Sequence, residues 1–215
     1  MKTTHIWGAG LCVLSSIIVS GCTSTLPLSM NLKYIPNAPA LQSTVSLVIA
    51  DGLQDLQIKE TSGLDTWVFM AGAAIRTNVA NALGTTFREV TLLSDTNSRT
   101  TSTDYFLSVT LVNYRIQRAA TIWATHRISL DIDYRLTDKN GKDVFLTHSE
   151  GLGECSKSTA AANGQFIEGM LIGPLQAGAA RSSHNTEFAL AWDRALASSI
   201  AQLMQDVKQH IRTTK

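Results

Sequence analysis

The stretch that decides the fold is Arg127-Ile128-Ser129-Leu130-Asp131-Ile132-Asp133-Tyr134-Arg135-Leu136. Arg127, Ser129, Asp131, Asp133 and Arg135 alternate with Ile128, Leu130, Ile132, Tyr134 and Leu136. Successive side chains of a strand point to opposite faces, so this spacing predicts a strand with one face on a core and one in water. Directly after it comes Asp138-Lys139-Asn140-Gly141-Lys142, whose Asn-Gly pair is a strong hairpin signal. The partner strand then runs from Asp143 to about Glu150. Upstream, Tyr105, Leu107, Val109 and Leu111 alternate with Phe106, Ser108, Thr110 and Val112, which predicts another strand. An antiparallel three-stranded meander follows from this order.

Working outward toward the N-terminus, Val45, Leu47 and Ile49 alternate with Thr44, Ser46 and Val48, and Asp51-Gly52 ends that strand. Residues 53–66 read as a loop. From about Thr66 a helix is predicted, because Ile75, Val79, Leu83 and Phe87 recur every four residues. Ala71, Ala74 and Ala82 keep its apolar face small enough to approach a sheet closely. Gly84 weakens its last turn. Glu89 to Leu93 reads as a short strand, and the polar residues 94–103 as a loop.

Toward the C-terminus, residues 151–185 are rich in glycine and include Pro174. At their centre lies Phe166-Ile167-Glu168-Gly169-Met170-Leu171-Ile172-Gly173-Pro174-Leu175, too short and broken to span a bilayer. A long helix is predicted over roughly 186–211, where Trp192, Leu196, Ile200, Leu203, Val207 and Ile211 form one stripe. Glu187 then falls in its first turn and Lys208, His210 and Arg212 at its end, signs that suit the helix dipole. The expected fold is α+β: a two-layer domain with a mixed sheet of about five strands, in the order β-α-β-β-β-β-α, covered by two helices.

The N-terminus has its own pattern. One basic residue, Lys2, precedes an apolar run from Ile6 to Val19, and the run closes in Val19-Ser20-Gly21-Cys22. This describes an export signal, and the run is too short for a spanning helix. An aliphatic residue, two small residues and Cys resemble the lipobox of bacterial lipoproteins. That resemblance implies cleavage before Cys22, acylation of its thiol and its new amine, and a stable anchor of several acyl chains. Thr23 is not the Asp that resembles an inner-membrane retention signal, so the outer membrane, on its periplasmic face, is the expected location. The chain then divides into a signal peptide (1–21), lipidated Cys22 with an extended, proline-containing tether (22–43), and a periplasmic domain (44–215). Leu32, Tyr34 and Ile35 in the tether are candidates for docking on the domain or on a neighbouring copy.

Removing Lys2 with the signal leaves 17 basic against 17 acidic residues, a neutral chain with no electrostatic case for nucleic acid. With Cys22 consumed by lipid, Cys155 has no intramolecular disulfide partner. No nucleophile elbow, Walker loop, His-Glu-x-x-His or paired-Cys metal motif is present. His126, His148, His184 and His210 share no metal-ligand spacing, so neither metal nor cofactor is expected. Cys155 with His148 or His126 is a weak thiol–base pairing, and an inert structural Cys is the commoner case. Asp131 and Asp133, flanked by Arg127 and Arg135, read as a solvated, self-neutralised face. The apolar segment with Phe166, Met170, Leu171, Ile172 and Leu175 is either a loop over the sheet or a contact surface for other subunits or membrane.

Three further stretches, Val45 to Gly52, Asp104 to Val112 and Ala195 to Val207, complete a layout with the lipobox, the tether and the Ile128 to Gly141 hairpin. That layout resembles YajG-type lipoproteins, and in fold the ring-forming CsgG and PelC types of outer-membrane lipoprotein. The resemblance implies a non-enzymatic scaffold or accessory subunit of a cell-envelope assembly, in homo-oligomers or with envelope proteins. Residues 151–185 exceed YajG-type brevity, and the long alternating hairpins of a CsgG-type pore are missing. A periplasmic carrier with a small-molecule or lipid pocket between sheet and helices is the alternative.

Overall fold

The computed structural model describes residues 23–26, 41–62, 65–93, 103–117, 125–156 and 176–212. In chain order the elements are β1 (Thr23–Leu26), β2 (Leu41–Ile49), β3 (Ile58–Ser62), β4 (Asp65–Phe69), α1 (Ala71–Gly84), β5 (Phe87–Leu93), β6 (Tyr105–Gln117), β7 (His126–Asp138), β8 (Asp143–Cys155) and α2 (Gln176–Arg212). The principal sheet has five strands in the order β5-β2-β6-β7-β8. β2 lies parallel to both β5 and β6, while β6, β7 and β8 form the antiparallel meander. The α+β class and the mixed five-stranded sheet covered by two helices are as expected.

The alternation in β7 carries the core. Ile128, Leu130, Ile132, Tyr134 and Leu136 are buried, and their inward face continues through Leu107 and Val109 of β6 and Val45, Leu47 and Ile49 of β2. Ile75, Val79 and Leu83 of α1 and the whole predicted stripe of α2, Trp192 to Ile211, close over it. At the hairpin, Gly141 has φ 81° and its N–H donates to the Asp138 carbonyl at 2.9 Å. Lys139 and Asn140 do not have positive φ, so this is a type I turn closed by a left-handed glycine, not the two-residue turn that Asn-Gly most often makes.

Several expectations are corrected. Residues 53–66 are not simply a loop: β3 and β4 pair antiparallel there, and β1 joins β4 in parallel to make a second sheet, β1-β4-β3. The five-residue strands Ile58–Ser62 and Asp65–Phe69 are too short to give much periodic signal. The first helix begins at Ala71, not near Thr66, and Phe87 opens β5 although it is buried beside the helix. β2 starts at Leu41, ahead of Thr44, and β1 occupies residues placed in the tether. β8 runs to Cys155, five residues past Glu150, because Gly151 and Gly153 are strand residues.

Those two glycines have a specific cause. A Cβ on Gly153 would stand 1.7 Å from the Ala191 carbonyl oxygen, and one on Gly151 2.1 Å from that of Ala195. The helix α2 lies directly on the backbone of β8, and only glycine leaves room for it. α2 itself starts at Gln176, ten residues before position 186. Glu187 is therefore an interior residue of the helix, buried, and not a first-turn dipole partner.

Candidate functional site

Among the described residues, three places combine polar chemistry with the fold. The first is at the open end of the β7–β8 pair. His126 starts β7 opposite Cys155, the last residue of β8. His126 Nε2 stands 3.7 Å from Glu187 Oε2, and both side chains are only 2% exposed. Phe188 meets the imidazole edge-on at 5.2 Å and stacks on Phe69 at 5.4 Å. Cys155 is buried in the same region. Burial pushes its thiol pKa up; Arg194 nearby pulls it down and Glu187 adds to the rise. A buried thiol held protonated is a poor nucleophile. The chemistry this cluster does best is structural: a His–carboxylate pair between β7 and α2 inside the core.

The second place is the outer face of the meander. Arg127 bonds Glu154 at 2.7 Å, Arg135 bonds Asp143 at 2.7 Å, and His148 Nδ1 meets Asp133 at 2.7 Å. The neutralising partners of β7 lie across on β8, not along β7 itself: Glu154 and His148 stand directly opposite Arg127 and Asp133, and Arg135 reaches along the ladder to Asp143, which pairs with Thr137. Arg135 holds the Asp143 carboxyl below its ordinary range, and Asp133 raises the His148 imidazole. Among these charges Leu146 is 68% and Leu152 54% exposed.

The third is a cleft of about 490 Å³ at the hairpin end of the sheet. Asp104, Tyr105, Asp138, Lys139, Lys142 and His210 are among its lining residues. Its carboxylates are committed: Asp104 accepts from the Thr44 N–H at 2.8 Å, and Asp138 from the N–H groups of Asn140 and Lys142 at 2.8 and 2.9 Å. Backbone donors hold the Asp138 carboxyl below its usual value, with the Lys142 N–H first among them. Burial, then Asp104 and Asp138, raise the Tyr105 phenol. Among the described residues no group of three or more His, Cys, Asp or Glu side chains is set to hold a metal ion.

Of the residues singled out from sequence, Cys22, Phe166, Met170, Leu171, Ile172 and Leu175 lie outside the described residues, as do Leu32, Tyr34 and Ile35. Cys155 and His126 are brought together in register; His148 lies on the other face, committed to Asp133. The His126–Glu187 pair had no sequence signal beyond a carboxylate set beside Phe188 and near Trp192 on a helix. No helix among the described residues is long and apolar enough to cross a membrane.

No family model matches the sequence, and no curated protein matches it significantly. Similarity appears among solved structures. One is the crystal structure of a Xanthomonas campestris protein of the DUF330 family, with TM-score 0.57 and 12% identity, covering 89% of this chain and 100% of that one. A minor lipoprotein from Acinetobacter baumannii gives TM-score 0.40 and 13% identity over 79% of this chain and 96% of that one. A hypothetical protein from Chlamydia trachomatis gives 0.41 and 11% over 78% and 98%. At such identities the likeness is one of fold, and it is the Xanthomonas protein's fold that this chain shares.

Proposed function

We propose that this chain is a lipid-anchored envelope protein on the periplasmic face of the outer membrane, working as a non-enzymatic scaffold or accessory subunit. The observation that carries the reading is Val19-Ser20-Gly21-Cys22 at the end of an export-type apolar run, directly ahead of the first strand of the domain. The buried, protonated Cys155 thiol and the committed carboxylates of the cleft support the non-enzymatic part. The likeness to YajG-type and ring-forming lipoproteins is part of this reading and rests on layout. Fold-level likeness does not fix function.

Intact mass spectrometry of the protein extracted from membranes tests the anchor. The expected species begins at Cys22 and carries acyl chains, and Cys22→Ser abolishes both cleavage and acylation. A mature N-terminus elsewhere, without acyl mass, rejects it. Self-association through the segment containing Met170 and Leu171 is tested by light scattering of the chain lacking its first 22 residues. A strict monomer, unchanged when both residues are replaced by Ser, removes that part. The carrier reading is less favoured. The inner sheet face is packed directly by α2 at Gly151 and Gly153, and the described cleft lies at the sheet's end, not between sheet and helices.

A further inference from the structure

The chain between anchor and domain is far shorter than its sequence suggests. Residues 22–43 read as one extended tether, yet Thr23–Leu26 is a strand paired in parallel with β4, in the register Thr23 to Thr66 through Leu26 to Phe69. Residues 27–40 therefore leave one strand of the folded unit, β1, and arrive at another, β2. They add nothing to the reach of an anchor at Cys22. From Cys22 to the start of β1 is one peptide step, about 3.8 Å between Cα atoms. A 21-residue flexible tether would have spanned roughly 25 Å on average.

The small sheet is also fixed to the core. β4 ends at Phe69, which is 1% exposed and stacked on Phe188 of α2. Val68 of β4, in register with Lys59, and Ile58 of β3, in register with Phe69, are buried too. The chain passes from Phe69 through Met70 into α1. Because β1 and β4 run parallel and β3 antiparallel, the Thr23 end of the sheet also holds Thr66 and Thr61, and the opposite end holds Leu26, Phe69 and Ile58. The core contacts made by Phe69 and Ile58 are thus at the end away from Cys22. From Thr23 to Leu26 the strand rises about 10 Å, at ~3.3 Å per residue.

Resting on the lipid-anchor reading of Cys22, we infer that the three-stranded sheet is a stiff pedestal whose Thr23 end abuts the lipid headgroups. It holds the α+β core about 10 Å above the bilayer in a fixed orientation, where a tether would let it roam. The partner of that sheet end is the leaflet carrying the anchor.

The test uses the full chain, lipidated in cells and reconstituted in vesicles of phosphatidylethanolamine and phosphatidylglycerol. A fluorophore is placed at Lys59→Cys, an exposed position on β3; the other mature thiols are buried (Cys155) or acylated (Cys22). Headgroup-nitroxide lipids are the quencher. A comparison chain carries about 14 Gly and Ser residues between Cys22 and Thr23, a coil of roughly 20 Å. At least twofold stronger quenching in the natural chain than in the extended one is expected. Equal quenching in the two, with mass spectrometry showing acylated Cys22 in both, overturns the pedestal and leaves the anchor standing. A Cys22 without acyl chains overturns the anchor and the pedestal together.

Discussion

Gly153 is the position at which the packing of this fold is most exposed to a single methyl group. In Gly153→Ala the new Cβ would lie 1.7 Å from the Ala191 carbonyl oxygen and 2.5 Å from the Ala195 nitrogen, both backbone atoms of α2. No rotamer change relieves a clash with a helix backbone. Restoring ordinary contact, which begins at 3.4 Å, requires α2 to lift off β8 by about as much again as the present separation. That lift loosens Trp192, Leu196 and Ser199, all buried against the sheet. Overpacking usually costs about 1–3 kcal/mol, and a backbone clash in a closed interface belongs at the upper end, ~3 kcal/mol. For a chain of this size that corresponds to a fall in Tm of about 6–12 °C. Gly84→Ala is the matched control: it is the last residue of α1, nothing lies within 4 Å of its Cβ, and its φ is not positive. There the same substitution restricts the unfolded chain and favours the helix, a gain of about 0.4–1 kcal/mol. Urea unfolding of the chain lacking residues 1–22, with calorimetry, reads both. If Gly153→Ala costs under about 0.5 kcal/mol with an unchanged m-value, α2 does not sit on β8 as described and the account of these glycines is refuted.

Other outcomes follow from named contacts. Tyr134→Phe removes the 2.9 Å bond between the buried Tyr134 hydroxyl and Ser199 Oγ and should cost about 1–2 kcal/mol in denaturant unfolding. Burial pushes the Asp193 pKa up to about 6 from 3.8, so the folded state holds its proton more tightly than the unfolded one. The resulting stabilisation is complete below the unfolded value and is lost as pH rises through that window. Asp193→Asn should therefore raise stability at pH 7, by about 1 kcal/mol after solvent screening, and change little at pH 4; equal effects at both would rule this out. His148 should titrate above the ordinary imidazole value by NMR because of its Asp133 bond, and Asp133→Asn should bring it back down. The Cys155 thiol should react with an aromatic disulfide reagent far more slowly in the folded protein than in urea, since burial both hides it and keeps it protonated.

Much of this was written along the chain. The alternation of Arg127 to Leu136 is a local periodicity, and burial of Ile128, Leu130, Ile132, Tyr134 and Leu136 follows it residue by residue. The stripe from Trp192 to Ile211 did the same for α2, because one helix face has one environment. Gly151 and Gly153 misled: in isolation they read as loop, and their role becomes visible only with Ala191 and Ala195 above them. β3 and β4 were illegible because such short strands owe their form to each other and to β1, not to a pattern of their own.

By itself, then, the sequence determined what depends on neighbours in the chain: the meander, the two amphipathic helices, the neutral surface and the export-type run ending at Cys22. Only the tertiary structure decided what depends on distant residues meeting. It set Glu187 of α2 against His126 of β7, and the backbone of α2 onto two glycines of β8. It also made Thr23–Leu26 a strand by giving it β4 as a partner. The physical reason is the same in each case: a backbone hydrogen bond across strands, a buried His–carboxylate contact and a close helix–strand approach all need a second group, and a linear pattern holds no record of which one arrives.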